Sequence, residues 1–197
     1  MTGFGPTGSR PTGSGPIGGY PPFISALPDI GFILKSVIVA VDKTAEGRLI
    51  ESVGIPWIEI VELLAKDWSI AFQIPPEKWE EIVAGAYKKA GFDDVIITPR
   101  SGDYGRDVIA IKKGIGSVRV IDQVKAYSPS NLVTANDVRA LLGVLHCEGA
   151  SKGFLTTTSN FAPGIVKDPF ITPLVPSRLE LIHGEALLER LKNLARI

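Results

Sequence analysis

The sequence lacks the features that place a protein outside the cell or in a membrane. It contains a single cysteine, Cys147, which excludes an internal disulfide framework and favours a reducing compartment. No apolar run reaches the roughly 18 residues that span a bilayer. The N-terminus has no charged start, apolar middle and small-residue cleavage site of the kind found in signal peptides. We therefore expect a cytoplasmic protein without a membrane partner.

An excess of charge is also missing. The 21 basic residues balance the 21 acidic ones, so the formal net charge is zero. Proteins that bind nucleic acid on their own usually carry a basic excess. Binding of phosphate groups must then depend on a local cluster of basic residues, on a metal ion or on a partner subunit.

Two further absences narrow the enzyme class. The only histidines, His146 and His183, are too far apart in the sequence to suggest a zinc site. No phosphate-cradling P-loop occurs, which excludes ATP-driven translocation by this chain.

The first 22 residues are of low complexity. Three loose copies of a five-residue unit begin at Pro6, Pro11 and Pro16, and they contain almost nothing apolar. Such a segment cannot offset the entropy lost on ordering, so we expect a disordered tail over residues 1–22. A tether or docking peptide is the functional alternative.

Residues 23–74 form an N-terminal extension. The β-branched run at 33–41 predicts a strand, and a helix is expected from Ile55 to about Trp68. The extension either packs against the domain that follows or pairs with another copy of the chain. The sequence leaves both readings open.

From Pro75 onward helices and strands follow one another regularly. Helices are predicted at 77–90, 136–147 and 185–194, strands at 95–98, 107–112, 118–125, 154–157 and 179–182, and a short helix before Pro169 with Ser159 or Asn160 as its cap. This order predicts an α/β domain over residues 75–197, with a mixed central sheet flanked by helices.

Three polar residues on two neighbouring predicted strands indicate a catalytic site. Asp107 heads one apolar strand, and Gln123 and Lys125 lie on the next, where their spacing of two puts them on one face. A carboxylate and an amide oxygen suit a hard cation such as Mg²⁺. The ammonium group of Lys125 could then stand beside the attacking water or the phosphate. This pattern is typical of phosphodiester cleavage.

The first predicted helix of this domain offers a second carboxylate. At helical spacing Glu80 falls at the edge of the buried stripe, beside Tyr87, whereas Glu81 falls on the far side and is expected to face water. Only Glu80 can then lean toward the sheet, where it would help a neutral Gln123 to hold a divalent cation.

Short motifs follow one another along this part of the chain. They are Trp79-Glu80 with Gly91-Phe92, the loop Gly102–Asp107, Gln123-Val124-Lys125, Val138-Arg139 with Leu142-Gly143, Thr157–Phe161, and Leu181–Gly184. In this order they resemble the Mrr-type branch of the PD-(D/E)XK restriction endonuclease superfamily. The resemblance covers Trp79 to Leu188 and does not extend to residues 1–70.

The resemblance implies a restriction-endonuclease-like fold and a role for each matching residue. Asp107 would be the central metal ligand, and Gln123 occupies a position more often held by Asp or Glu. Glu80 would complete the acidic set, the Val124 backbone carbonyl would be a further ligand, and Lys125 would be the catalytic lysine. Mg²⁺ is the implied ion, and Mn²⁺ could substitute for it.

The resemblance also implies DNA as the partner, with restriction or host defence as the setting. We assign DNA contacts to Arg100, Arg106, Tyr127 and Ser159. The chain departs from the family in having Ala126 where a basic residue commonly follows the lysine. One active site cuts one strand, so we expect a homodimer or a partner subunit.

Other interpretations stay open at this point. Asp107 could cap its loop, Lys125 could guard a sheet edge and Gln123 could hydrogen-bond across strands. Glu80 could simply favour the helix dipole. The same fold could serve as a non-cleaving module that binds nucleic acid or protein, or as a structure-specific nuclease such as a junction resolvase.

Overall fold

The structure is a computed structural model that describes residues 30–99 and 105–196. The helices are α1 (Ile30–Ile33), α2 (Ile55–Lys66), α3 (Pro76–Lys89), α4 (Ala135–Cys147) and α5 (Gly184–Ala195). The strands are β1 (Ile38–Lys43), β2 (Arg48–Val53), β3 (Asp94–Ile97), β4 (Val108–Lys112), β5 (Val118–Lys125), β6 (Lys152–Thr157) and β7 (Leu179–Ile182). The tail expected at 1–22 lies outside the described residues.

All these strands form one mixed sheet. The seven strands lie in chain order; each neighbouring pair from β1 to β5 is antiparallel, and β5, β6 and β7 run parallel. The prediction of a mixed central sheet flanked by helices is confirmed. This topology brings the amino end of β4 and the carboxyl ends of β5, β6 and β7 to one edge of the sheet. Asp107 and Lys125 both lie at that edge.

Each face of the sheet supports its own core. One face packs against α2, α3 and α5, and the other packs against α4. On β5, Val120 belongs to the first core and Ile121 to the second. Because side chains alternate along a strand, Asp122 points toward α3 while Gln123 and Lys125 point toward α4. Within 30–99 and 105–196 no helix has the length and apolar character of a transmembrane segment.

Local sequence signals set the end of α3 and the start of α4. Gly91 follows α3 with φ +86°, a conformation that ends helices readily. At the start of α4, Thr134 and Asp137 form a capping box: the Thr134 Oγ1 accepts from the Asp137 N–H at 3.4 Å, and the Asp137 Oδ2 accepts from the Thr134 N–H at 2.9 Å. The capping box thereby fixes the start of α4 at Ala135.

The N-terminal extension differs from its prediction in detail. The strand expected at 33–41 begins only at Ile38, because the preceding residues form a helical turn, and β2 was not predicted. The hairpin of β1 and β2 joins the sheet through two residue pairs between β2 and β3. On α2, Trp57 is fully buried and its indole N–H donates to the Ile82 carbonyl at 2.8 Å. The extension therefore shares sheet and core with the rest, although the domain boundary at residue 75 remains a prediction.

The short helix expected before Pro169 is present only as a 3₁₀ turn, and its predicted cap at Ser159 or Asn160 was wrong. The Ser159 N–H bonds to the Thr157 hydroxyl, and the Asn160 carbonyl accepts from the Val133 N–H in an extended bridge. These backbone groups are therefore engaged outside any helix. The next helical turn in this segment is a 3₁₀ turn at Ile165–Lys167, preceded by Gly164.

Gly85 provides a test of the packing between the extension and α3. A Cβ at this position would lie 2.6 Å from the Trp57 Nε1. We expect Gly85→Ala to lower the free energy of unfolding by about 1–3 kcal/mol through overpacking, against the usual helix preference for alanine. Gly143→Ala on α4 is the matched control, because a Cβ there meets nothing within 4 Å and should stabilise the helix. Chemical denaturation of both variants measures the difference, and equal effects would contradict this packing.

Candidate active site

Asp107 is held in place by strand β5. Its N–H donates to the Asp122 carbonyl at 3.1 Å, and its own carbonyl accepts from the Thr98 N–H at 3.1 Å. Its carboxylate Oδ2 accepts from the Val124 N–H at 2.6 Å. The side chain and the main chain of Asp107 are thus tied to the segment of β5 that carries Gln123.

Gln123 lies beside this carboxylate in a nearly closed environment. It is 8% exposed, and its Oε1 is buried without a hydrogen-bond partner. Its Nε2 lies against Gly105, where a Cβ would come within 2.9 Å and where φ is +79°. An unsatisfied buried carbonyl oxygen is costly, so this oxygen is a candidate to bind an ordered water or a cation.

Lys125 is the last residue of β5 and is half-buried. Its carbonyl accepts from the Thr157 hydroxyl at 2.8 Å, which fixes the end of the strand against β6. Its positive charge helps to lower the pKa of Asp137 in the first turn of α4. Burial alone would raise that pKa, but the hydrogen bonds from Thr134 and the charge of Lys125 together outweigh it. Lys125 therefore faces α4, on the same side of the sheet as Gln123.

The Val124 carbonyl points to the Asp107 side of β5. In an extended strand the N–H and C=O of one residue point the same way, and the Val124 N–H is already bonded to Asp107. The structure thus brings together the Asp107 carboxylate, the Gln123 amide and the Val124 main chain, with Lys125 next along the strand.

Glu80 approaches from the other face of the sheet. It lies half-buried in the second turn of α3. Its neighbour Glu81 pairs with Arg48 at 3.7 Å, and Arg48 lies in register with Ile97 at the edge that carries Asp107. The early turns of α3 therefore lie at the edge of the sheet that carries Asp107, and the assignment of Glu80 to the site stays a prediction.

The expectation that Glu81 faces water was wrong. Its side chain is only 12% exposed, and it also pairs with Lys78 at 2.7 Å. The hairpin of β1 and β2, which was not predicted, supplies the other basic partner, Arg48.

The residues assigned to DNA contact occupy different environments. Arg106 pairs with Glu148 at 2.8 Å, and its side chain is 12% exposed. Tyr127 is half-buried, and burial together with the charge of Asp137 raises the pKa of its hydroxyl. Ser159 is 3% exposed with a buried, unpaired hydroxyl, and Arg100 lies outside the described residues. These four assignments stay predictions.

The sequence interpretation found no role for Asp122, which the structure places directly behind the site. Asp122 is fully buried, and its Oδ2 accepts from the Tyr87 hydroxyl at 2.8 Å and from the Thr156 hydroxyl at 3.0 Å. Burial raises the pKa of Asp122 to about 6, against the opposing effects of Arg190 and the two hydroxyls. The sequence signal that could have identified Asp122 is an acidic residue between Val120 and Val124, at a strand position that faces the core.

The donor set suits a hard cation but is unusually poor in charge. Within the described residues no group of three or more His, Cys, Asp or Glu side chains is placed to hold a metal ion. The oxygen donors on neighbouring positions of this edge are those of Asp107, Gln123 and the Val124 main chain, and oxygen ligands are what Mg²⁺ prefers. The unpaired Gln123 Oε1 is the observation that favours a cation here.

Comparison with known proteins identifies a family. Residues 72–191, more than half of the chain, match the Mrr catalytic family model, described as "Restriction endonuclease". No curated protein matches the chain in sequence.

Two solved structures resemble the chain. The "DNA modification-dependent restriction endonuclease AspBHI" shares 18% identity at a TM-score of 0.47, covering 83% of this chain and 40% of that one. The "MspJI Restriction Endonuclease in Complex with 27-mer Oligonucleotide" shares 19% identity at a TM-score of 0.41, covering 68% and 30%. The chain spans less than half the length of either structure.

Asp122 should make stability depend on pH. Its folded pKa of about 6 lies above the usual 3.8, so folding favours the protonated form, and that contribution is lost as the pH rises from about 4 to about 6. Asp122→Asn should remove this loss, which is worth about 3 kcal/mol for such a pKa difference. Denaturation of both proteins in EDTA between pH 4 and pH 7 measures it; parallel stability curves would contradict the assignment.

Proposed function

This chain belongs to the Mrr-type restriction endonuclease family, and we propose that it is a Mg²⁺-dependent DNA endonuclease that hydrolyses phosphodiester bonds. The observation that carries the proposal is the arrangement around β5. The Asp107 carboxylate is bonded to the Val124 N–H, beside the buried and unpaired oxygen of Gln123. Lys125 follows on the same face.

Each residue has a distinct part in the proposed reaction. Asp107, Gln123, Glu80 and the Val124 carbonyl would hold Mg²⁺, or Mn²⁺ in its place. When bound, the ion would polarise the scissile phosphate and lower the pKa of a bound water. The Val124 N–H orients the Asp107 carboxylate, and Lys125 stabilises the negative charge that develops on the phosphate.

DNA binding would use residues around this edge, and the biological setting would be restriction or host defence. Arg106 pairs with Glu148, so a DNA phosphate would compete with this carboxylate for its guanidinium group. A single site per chain cuts one strand, so double-strand cleavage would require a homodimer or a partner subunit. The zero formal net charge is consistent with a need for such a second subunit.

A non-cleaving binding module is the second candidate. One observation favours it: Gln123 provides no charge where a carboxylate is usual in the family. Such a protein would retain DNA in the absence of metal and would leave it intact. A junction resolvase is a further reading, which four-way junction and linear substrates would separate.

Plasmid nicking tests the proposed reaction. With Mg²⁺ or Mn²⁺ the protein should nick supercoiled DNA, and EDTA should stop it. Lys125→Ala and Asp107→Asn should each lower the rate by roughly 10²- to 10³-fold, because each removes a group that stabilises the transition state.

Lys112→Ala is the matched control, since Lys112 ends β4 at the opposite edge and its side chain is 52% exposed beside Asp93. It should nick at the normal rate. Nicking that persists in Lys125→Ala and Asp107→Asn, or DNA retention without cleavage by the unaltered protein, would overturn the nuclease proposal.

Gln123→Glu tests whether the pocket binds a cation. A second buried carboxylate beside Asp107 should lower the melting temperature in EDTA by like-charge repulsion and desolvation. Added Mg²⁺ or Mn²⁺ should then raise the melting temperature more than in the unaltered protein, because binding stabilises the folded state. The exposed Gln73→Glu is the control. An equal metal-induced rise in both variants would exclude a cation at Gln123.

A further inference from the structure

Asp122 is a costly residue for its position. It lies on the inward face of β5 with no exposed surface, and its Oδ1 has no hydrogen-bond partner. Its neighbours on that face, Val120 and Val124, are apolar and pack into the core. An apolar side chain would fill the same place without the desolvation penalty of a carboxylate. A purely structural account of the strand therefore does not explain this residue.

The main chain around Asp122 is what holds the Asp107 carboxylate. The Asp122 carbonyl accepts from the Asp107 N–H at 3.1 Å, and the Val124 N–H donates to the Asp107 Oδ2 at 2.6 Å. Gln123 lies between these two anchoring residues. A small displacement of this segment would therefore move the carboxylate and the amide oxygen together.

The Asp122 side chain joins this segment to three other elements. Tyr87 on α3 and Thr156 on β6 donate their hydroxyls to its Oδ2 at 2.8 Å and 3.0 Å. The guanidinium group of Arg190 on α5 lies 4.9 Å from the centre of the Tyr87 ring and 5.0 Å from that of Phe154. These cation–π contacts join α5 to the residues around Asp122.

Tyr87 also connects the cluster to Glu80. The two residues are seven positions apart on α3 and so lie on the same face, two turns from each other. The Tyr87–Asp122 hydrogen bond joins this face of α3 to β5. It therefore connects the helix that carries Glu80 to the strand that carries Gln123 and Val124.

We propose that Asp122, held by Tyr87 and Thr156, is a positioning residue that sets the geometry of Asp107, Gln123 and Glu80 for metal binding. This inference rests on the proposed nuclease function. Asp122 touches neither substrate nor ion; it acts through the main chain of β5 and through α3.

The experiment compares variants that remove one hydroxyl and keep the shape. Tyr87→Phe and Thr156→Val each delete one donor to Asp122, and Thr156→Ser retains it. We expect the first two to raise the Mg²⁺ concentration that gives half-maximal nicking by roughly 10-fold, the lower end of the effect of groups that orient metal ligands. Thr156→Ser should restore the normal requirement. Circular dichroism and thermal unfolding establish that each variant is folded.

Direct Mn²⁺ binding, measured by electron paramagnetic resonance, separates this inference from the nuclease proposal. If the unaltered protein binds Mn²⁺ through Asp107 but does not nick DNA, the nuclease proposal fails. The Mn²⁺ affinities of Tyr87→Phe and Thr156→Val then still test the positioning role of Asp122. Folded Tyr87→Phe and Thr156→Val variants with unchanged metal requirement and Mn²⁺ affinity would overturn the positioning role. Absence of both Mn²⁺ binding and nicking in the unaltered protein would overturn both proposals.

Discussion

The hydrogen bond between the Val124 N–H and the Asp107 carboxylate is the contact on which the candidate site depends. At 2.6 Å it is a short bond to a charged acceptor, a strong type. It extends the pairing of β4 with β5 by one residue before the start of β4 and holds the carboxylate of Asp107, which lies opposite Gln123, against β5. Without it, Asp107 would be an ordinary acid at the end of a loop, and the oxygen donors would not converge.

The sheet makes this contact possible because one of its edges carries both the start of β4 and the end of β5. Antiparallel pairing brings the start of β4 to the end of β5, and parallel pairing adds the end of β6, whose Thr157 hydroxyl holds the Lys125 carbonyl. The two cores then fix the edge from both sides. Helix α4 lies over Lys125, while α3 carries Glu80 on the opposite face and reaches Asp122 through Tyr87.

Periodicity and motif order were sufficient to predict most of the fold and to single out Asp107, Gln123 and Lys125, whose roles in a site remain predictions. The strands from β3 to β7 and the helices between them follow clear apolar patterns, so their sheet could be anticipated. Strand β2 could not, because its residues are mostly exposed and its alternation is short. Asp122 escaped notice because its partners, Tyr87 and Thr156, lie more than 30 residues away in the chain. Such long-range hydrogen bonds leave no local pattern.

The most direct measurement of the central claim is the anomalous scattering of Mn²⁺ in crystals of the full chain grown with that ion. The account predicts one strong peak per chain, within coordination distance of an Asp107 carboxylate oxygen, the Gln123 Oε1 and the Val124 carbonyl. A peak located elsewhere, or Asp107 and Gln123 bonded only to protein groups in the presence of saturating Mn²⁺, would contradict it.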